Sequence, residues 1–274
     1  MFRQNTNRNY PSQPYNQRRS IRGTLIIGLL IAAFYLFRYY SNSQVNEVTG
    51  EEQHIGSITK EQEITLGLQS APQMIQQYGG LHPDQRAQDY VDQVGRRLMS
   101  TDVVANSGYQ YDFHLLADPQ VVNAFALPGG QVFITEALFS RLQNEDQLAG
   151  IFGHEIGHVL ARHGAERMAQ IELTQGLTGA AVIASGDYNT AQMAQMIGSM
   201  INMKYGRDQE LQSDDLGVRL MVKAGYNPES LIDVMEILAQ ASGGQRQPEF
   251  MSTHPSPANR VDKIKEAIVK YRGQ

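Results

Sequence analysis

Residues 146–164, Asp-Gln-Leu-Ala-Gly-Ile-Phe-Gly-His-Glu-Ile-Gly-His-Val-Leu-Ala-Arg-His-Gly, contain the pattern His-Glu-x-x-His at positions 154–158. On a helix, His154 and His158 lie about 40° apart on one face, so both imidazoles can reach a single zinc ion. Glu155 lies about 100° from His154 and can act on a bound water instead of serving as a ligand. The opposite face of this helix is apolar and consists of Leu148, Phe152, Ile156, Val159 and Leu160. The pattern therefore predicts a catalytic zinc site on a helix that is buried in a core.

Three glycines, Gly150, Gly153 and Gly157, lie beside the histidines on the same predicted helix. Each glycine weakens a helix by about 1 kcal/mol relative to alanine. We therefore expect another part of the chain to approach this side of the helix closely.

A catalytic zinc site takes three protein ligands, and this chain has no cysteine, so the third ligand must be a carboxylate or another histidine. The best candidate is Glu210, on a predicted helix that runs to about Lys223. Asp214 lies one turn further on, where it could accept a hydrogen bond from the outer nitrogen of a zinc-bound histidine. Taken alone, these acids are more typical of a solvated helix face than of a metal site. His163 is predicted to be a structural hydrogen-bonding residue, rotated away from the site.

The charges are distributed unevenly along the chain, whose formal net charge is -5. Residues 1–46 contain six arginines and no acidic residue. The remaining 17 of the 23 basic residues accompany all 28 acidic ones, which gives the rest of the chain a net charge of -11. This sign excludes a nucleic-acid partner. The absence of cysteine excludes disulfide scaffolds, cysteine nucleophiles and thiolate zinc sites.

The arginines precede an uncharged, mostly apolar run at residues 24–37. With its flanking residues the run extends over 23–40, which is long enough for one membrane crossing. Because five arginines precede the run and one follows it, residues 1–22 are predicted to be a disordered cytoplasmic tail, with the following domain in the periplasm. This predicts a single-pass inner-membrane protein. A cleaved signal peptide with secretion, or a mitochondrial inner-membrane location, remains the alternative.

Residues 41–58 are predicted to be a linker, and residues 59–274 the catalytic domain. Helical patterns at about 59–78 and 90–99 precede strand-like segments at 109–116, 121–127 and 131–135, with a turn at 128–130. The rest of the chain is predicted to be helical, with breaks near Gly186, Gly206, Gly225 and Gly243. This is an α+β fold, mainly helical, with a small β-sheet. The methionine-rich stretch 168–203 is predicted to be core or a mobile cover over the active site.

At four places in order the chain resembles the membrane-associated zinc metallopeptidases typified by HtpX, BepA/LoiP and the CAAX prenyl protease. The resemblance covers roughly residues 60–272. One departure is Ser213, where the family usually has alanine. The matching segments are Asn-Ala-Phe-Ala-Leu-Pro-Gly-Gly at 123–130, the histidine pattern with Arg162 and His163, Glu-Leu-Gln-Ser-Asp at 210–214, and Ser-Thr-His-Pro-Ser-Pro at 252–257 with Arg260.

The resemblance implies a gluzincin with a zincin-type fold and one zinc ion per chain. It implies that His154, His158 and Glu210 are the metal ligands, that Glu155 is the general base and that Asp214 supports a ligand from behind. Further expected roles fall on the C-terminal loop and on the segment before the active-site helix. His254 and Arg260 are the candidates for stabilising the oxyanion, and His254 is also a candidate for blocking the open zinc position. The extended segment 122–126, with Asn123, Ala124 and Phe125, is expected to pair with the substrate backbone.

These observations predict a zinc metalloendopeptidase that cleaves unfolded or misassembled membrane and envelope proteins in protein quality control. The expected partners are polypeptide substrates and the membrane, and the sequence leaves the oligomeric state open. The alternative is a membrane-anchored chaperone or assembly scaffold with a structural zinc and no turnover. Because Glu155 is not a ligand, that alternative requires Glu155→Gln to be harmless.

Overall fold

A mostly helical chain surrounds a small β-sheet in the computed structural model, which describes residues 21–185, 205–241, 248–256 and 258–273. The helices are α1 (Ile21–Ser41), α2 (Lys60–Gln77), α3 (Gln85–Met99), α4 (Asp102–Ala105), α5 (Glu136–Phe139), α6 (Glu145–Leu160), α7 (His163–Ser185), α8 (Arg207–Lys223), α9 (Ser230–Ala241), α10 (Glu249–Thr253) and α11 (Arg260–Arg272). The strands are β1 (Ser43–Val45), β2 (Glu52–His54), β3 (Asp112–Leu116), β4 (Ala124–Ala126) and β5 (Gln131–Thr135). The predicted α+β class, mainly helical with little sheet, is confirmed.

The main sheet has three strands in the order β3-β5-β4, with β5 in the centre. Strand β5 is parallel to β3 and antiparallel to β4, so β4 lies at one edge. The turn between β4 and β5 needs two glycines, because Gly129 and Gly130 have φ angles of 86° and 114°. A Cβ at Gly129 would also overlap the backbone of α2 at Ile64. The predicted hairpin around Pro128 is therefore present.

The histidine-bearing helix α6 lies at the centre of the fold. It contacts β4 and β5 on one side and α3, α8 and α9 on the others. Every residue from 147 to 160 is buried, including the predicted apolar face. On that face Phe152 packs on Phe113 of β3, with ring centroids 5.0 Å apart. This burial fixes the helix against the sheet and sets the position of its histidines.

Residues 41–58, predicted as a linker, include the antiparallel hairpin β1–β2, which is attached to the end of α6. Asn46 donates a hydrogen bond to the carbonyl of Leu160 at 3.0 Å, and the Gln53 amide donates to the carbonyl of Ala161. The last carbonyls of a helix have no partner within it, so these two buried amides cap the helix. The segment is therefore packed against the rest of the fold, because its amides satisfy the end of α6.

Helix α1 contains the predicted membrane segment. By length and composition, its residues Gly23–Ser41 could cross a membrane, and no other helix among the described residues meets that criterion. Helix α7 packs against α1 over much of its length. The predicted breaks near Gly186 and Gly243, and the methionines at 193–203, lie outside the described residues.

Candidate active site

Helices α6 and α8 approach each other at glycines, as the glycines of α6 predict. Gly153 faces Gly217, where a Cβ would lie 3.1 Å from the Gly217 carbonyl oxygen. Gly157 faces Ser213, and a Cβ there would lie only 2.8 Å from the Ser213 carbonyl oxygen. Side chains larger than hydrogen at these positions would push the two helices apart. The close approach brings the acids of α8 to the histidines of α6.

Four side chains converge where these helices meet. His154, His158, Glu210 and His254 each offer an atom within 4.8 Å of the others, and all are almost completely buried. The Nε2 atoms of His154 and His158 are 3.1 Å apart. Oε2 of Glu210 lies 3.5 Å from Nε2 of His154, and Oε1 of Glu210 lies 3.5 Å from Nε2 of His158.

This cluster fits a zinc ion by its donor set and its burial. Within the described part of the chain, Oε2 of Glu210 and Oε1 of Glu155 accept no hydrogen bond, although both are buried. Leaving a carboxylate oxygen buried without a hydrogen bond costs free energy, and a divalent cation lowers that cost. Imidazole nitrogen and carboxylate oxygen are ligands that zinc takes in cysteine-free sites.

The outer nitrogen of His154 is held by a buried ion pair. Nδ1 of His154 lies 2.8 Å from Oδ1 of Asp214, the partner that the sequence predicts. Asp214 in turn accepts from Arg260 at 2.7 and 2.9 Å. Burial alone would raise the pKa of Asp214, but the Arg260 guanidinium and the His154 contact lower it below its ordinary value. The carboxylate therefore stays charged and orients His154 so that Nε2 points into the cluster.

Arg260, which is predicted as an oxyanion donor, lies against the outer side of His154. Its guanidinium is buried, is bound to Asp214 and lies 3.3 Å from Oε2 of Glu210. It also lies 3.3 Å from Nδ1 of His154, on the side of the ring away from the cluster centre. From there Arg260 contacts both acids of α8, and its role as an oxyanion donor stays a prediction.

The outer nitrogen of His158 is held by His163, which the sequence places away from the site. The two Nδ1 atoms are 2.9 Å apart, and Nε2 of His163 lies 2.8 Å from Oε1 of Gln212. Arg162 turns the chain between α6 and α7 with a φ of 55°, and this turn brings His163 back onto His158. Burial lowers the pKa of His163 to about 4, so its ring is neutral at pH 7 and can accept a hydrogen bond. The sequence signal that could have indicated this contact is the Arg162-His163 pair, which is part of the matched family pattern.

His254 lies inside the cluster. Its Nδ1 is 3.3 Å from Nε2 of His154 and 3.0 Å from Oε1 of Glu210. Its Nε2 lies 3.7 Å from Oε1 of Glu155, the predicted general base. The ring stacks on Phe250 and tilts against Tyr205, with centroids 4.4 and 5.0 Å away. His254 is thus the fourth side chain of the cluster. Sequence patterns did not identify its two aromatic neighbours.

The predicted substrate strand β4 lies beside α6 at the free edge of the sheet. The Asn123 amide donates to the Thr135 hydroxyl, and the Asn123 carbonyl accepts from the Thr135 amide. Because hydrogen-bonded residues alternate along an antiparallel strand, the backbone groups of Ala124 and Ala126 point away from β5. The side chain of Asn123 is buried and donates to Glu249 at 3.2 Å. The Phe250 amide donates to the carbonyl of Val122 at 3.3 Å. The short helix α10 therefore covers the start of this edge, a contact that the sequence did not predict.

Comparison with known proteins gives a consistent result. The model of Peptidase family M48 matches residues 85–268. Mitochondrial metalloendopeptidase OMA1 of Schizosaccharomyces pombe is 28% identical over 258 residues, which cover 90% of this chain and 73% of that protein. Beta-barrel assembly-enhancing protease of Escherichia coli is 33% identical over 184 residues, 63% of this chain and 37% of that protein. Metalloprotease YcaL of Escherichia coli is 30% identical over 162 residues, 58% of this chain and 61% of that protein.

The family match spans more than half of the chain and includes α6, α8 and the loop that carries His254. The predicted resemblance to zinc metallopeptidases is confirmed, and so is zinc as the cofactor. The substrates of this protein are accordingly polypeptides. The chain belongs to peptidase family M48 and is a zinc metalloprotease.

Proposed function

We propose that this protein is a membrane-anchored endopeptidase that cleaves unfolded or misassembled membrane and envelope proteins. The observation that carries the proposal is the buried convergence of His154, His158 and Glu210 beside Glu155. The similarity to a Beta-barrel assembly-enhancing protease supports a role in quality control. The similarity to mitochondrial metalloendopeptidases supports the same role in an organelle.

In this proposal His154, His158 and Glu210 are the three metal ligands and Glu155 is the general base. A zinc ion held by these residues would supply Lewis-acid polarisation of the peptide carbonyl and would increase the acidity of the attacking water. Glu155 takes the proton of the attacking water on Oε1 and returns it to the leaving amine. Asp214 and His163 fix the two imidazole rings, so that both Nε2 atoms stay directed at one point.

The free edge of β4 supports a sequence-tolerant mode of substrate binding. Backbone groups of Ala124 and Ala126 face away from the sheet and can pair with an extended peptide. Strand addition uses main-chain hydrogen bonds, so it selects for an unfolded conformation and not for particular side chains. Unfolded polypeptides are therefore the substrate class that this edge favours.

We infer further that the arrangement seen here is a latent one. Nδ1 of His254 is directed at the cluster, where the fourth zinc position must be open to water for catalysis. Helix α10 also covers the start of the substrate edge, through Phe250 and Glu249. Both contacts must break before a peptide can bind.

The latent state has a direct test in His254→Ala. Removal of the imidazole should raise basal cleavage of unfolded casein, because the fourth position is opened. A lower basal rate would contradict latency and assign His254 to the transition state instead.

Helix α1 supports an anchor that leaves the N-terminus in the cytoplasm and the catalytic domain in the periplasm. The mitochondrial relatives support the inner mitochondrial membrane as the alternative. Carbonate extraction of cell membranes tests the anchor. The protein should stay with the membrane pellet, and recovery in the soluble fraction without residues 1–43 would indicate secretion after cleavage.

The catalytic assignment is tested by comparing Glu155→Gln with Glu210→Ala. Glu155→Gln should abolish cleavage of unfolded casein while it retains about one zinc per chain, because it removes the base and no ligand. Glu210→Ala should lose zinc, since it removes the only carboxylate among the proposed ligands. Retained proteolysis in Glu155→Gln would contradict the assignment of Glu155 as the general base, whereas normal function in cells without proteolysis would favour the chaperone or scaffold alternative. Full zinc content in Glu210→Ala would exclude it as the third ligand.

A further inference from the structure

Helix α7 lies antiparallel to the apolar helix α1. Near the catalytic domain, Arg38 of α1 and Glu172 of α7 form an ion pair at 3.1 Å. One turn further from the domain, Tyr35 packs on Gly176. Beyond that, a groove between the helices is lined by Ile27 and Ile31 of α1 and by Gly179 of α7, among others. The second half of α7 thus follows α1 away from the catalytic domain.

The contact between the two helices is made at small residues. Gly176 and Ala180 of α7 are buried, and so is Gly28 of α1. A Cβ at Gly176 would overlap the ring of Tyr35. Small residues spaced four apart allow helix backbones to approach closely, which is how helices associate in a bilayer. The packing of α7 on α1 is therefore tight and of a kind suited to lipid surroundings.

Charged residues stop at the same level along both helices. Helix α1 has no charged residue between Arg22 and Arg38. Helix α7 has no charged residue after Glu172, up to its end at Ser185. The Arg38–Glu172 ion pair marks this level on both helices. Tyr39 and Tyr40 lie at the same level, where interfacial aromatic residues are found in membrane proteins.

The outward surface beyond this level is compatible with lipid. Leu29, Leu30 and Phe37 of α1 are 62%, 65% and 73% exposed. On α7 the exposed residues there include Thr174 and Thr178, and the Thr174 hydroxyl donates to the Gln170 carbonyl at 2.8 Å, so its polar group is satisfied within the helix. The 13 residues after Glu172 extend about 20 Å, two-thirds of the roughly 30 Å hydrocarbon core.

From these features we propose that residues 173–185 of α7 lie in the lipid bilayer beside α1, so that the membrane part of this protein contains two helices. The bilayer covers the apolar surface of α1 that the catalytic domain leaves exposed. Helix α7 does not qualify as a span on its own, because its first half carries His163, Glu166 and Arg167 and packs on the catalytic domain. The proposal rests on the proposed anchoring of α1.

The absence of native cysteine allows a spin label to be placed at one position at a time in the full chain. The label would be attached at Thr178→Cys, at Leu29→Cys as the anchor control and at Gln170→Cys as the control above the ion pair. Each labelled protein would be reconstituted in vesicles of phosphatidylethanolamine and phosphatidylglycerol. Accessibility to oxygen, which concentrates in lipid, is then compared with accessibility to a water-soluble nickel complex. All three positions are exposed, so the labels leave the packing intact.

The proposal expects Thr178→Cys to match Leu29→Cys, with high oxygen and low nickel accessibility, and Gln170→Cys to be about tenfold more accessible to nickel. High nickel accessibility at Thr178→Cys, with a lipid signal at Leu29→Cys, would overturn the proposal and leave the anchor intact. Low accessibility to both reagents at Thr178→Cys would overturn it too, because protein would then cover that face. A water signal at Leu29→Cys would refute the anchor itself, and that outcome is independent of any measurement of proteolysis.

Discussion

The substitution Gly157→Ala places a methyl group between the two helices that carry the proposed zinc ligands. Its Cβ would lie 2.8 Å from the carbonyl oxygen of Ser213 and 3.0 Å from the Ser213 Cα. Favourable carbon contacts begin near 3.5 Å, so α8 must move away from α6 by about 0.5 Å. Glu210 lies three residues before Ser213 on α8, and its carboxylate would retreat from His154 and His158 by a similar distance.

Two free energies follow from this displacement. Overpacking costs about 1–3 kcal/mol and the alanine returns about 1 kcal/mol of helix propensity, so the free energy of unfolding should fall by about 0–2 kcal/mol. Metal sites tolerate changes of only about 0.2 Å in ligand distance. We therefore expect zinc affinity to fall about 10- to 100-fold, as it does when the support of a metal ligand is lost.

The matched control is Gly150→Ala on the same helix. There the nearest atoms belong to Leu231 at 3.4 Å, an ordinary contact, so the alanine should fit and add up to about 1 kcal/mol of stability. Zinc affinity is measured by competition with a chelator, and stability by urea unfolding. Equal zinc affinity in the two variants would refute the view that the close approach of α6 and α8 sets the metal site.

Two buried ion pairs and the metal itself give the remaining predictions. Arg260→Ala leaves Asp214 buried without its partner, so the free energy of unfolding in urea should fall by about 3–5 kcal/mol. Glu63→Ala removes the carboxylate that Arg162 contacts at 2.9 Å, and the free energy of unfolding should fall by about 3 kcal/mol. An unchanged urea midpoint would show that water replaces the ion pair. Chelation of zinc should lower the thermal midpoint of the native chain and have no effect on Glu210→Ala.

Local patterns predicted the parts of this fold that depend on neighbouring residues. The turn at Gly129 and Gly130 follows from the conformation that only glycine adopts easily. Helix α8 begins after Gly206 and ends at Lys223, as its sequence predicts. The placement of His154, Glu155 and His158 depends on helical geometry alone, so the motif was sufficient to locate them.

Features that depend on distant contacts could not be derived in this way. The position of His254 depends on α10 packing on the sheet edge, and the ion pair of Arg260 with Asp214 joins residues that lie 46 positions apart. The hairpin in residues 41–58 forms because Asn46 and Gln53 cap α6, more than a hundred residues away. Helix α7 carries no strong apolar pattern, so its pairing with α1 was not visible either.

Helix α7 also acts as a spacer of fixed length, because it runs without a break from the active site to the level of the Arg38–Glu172 ion pair. It begins at His163, which touches His158, and nine residues of helix between His163 and Glu172 correspond to about 14 Å. An extended peptide needs about four residues to cover that distance. In the proposed membrane arrangement, with the ion pair at the bilayer surface, we therefore expect a membrane-protein substrate to present its scissile bond at least about four residues beyond the end of its own transmembrane segment.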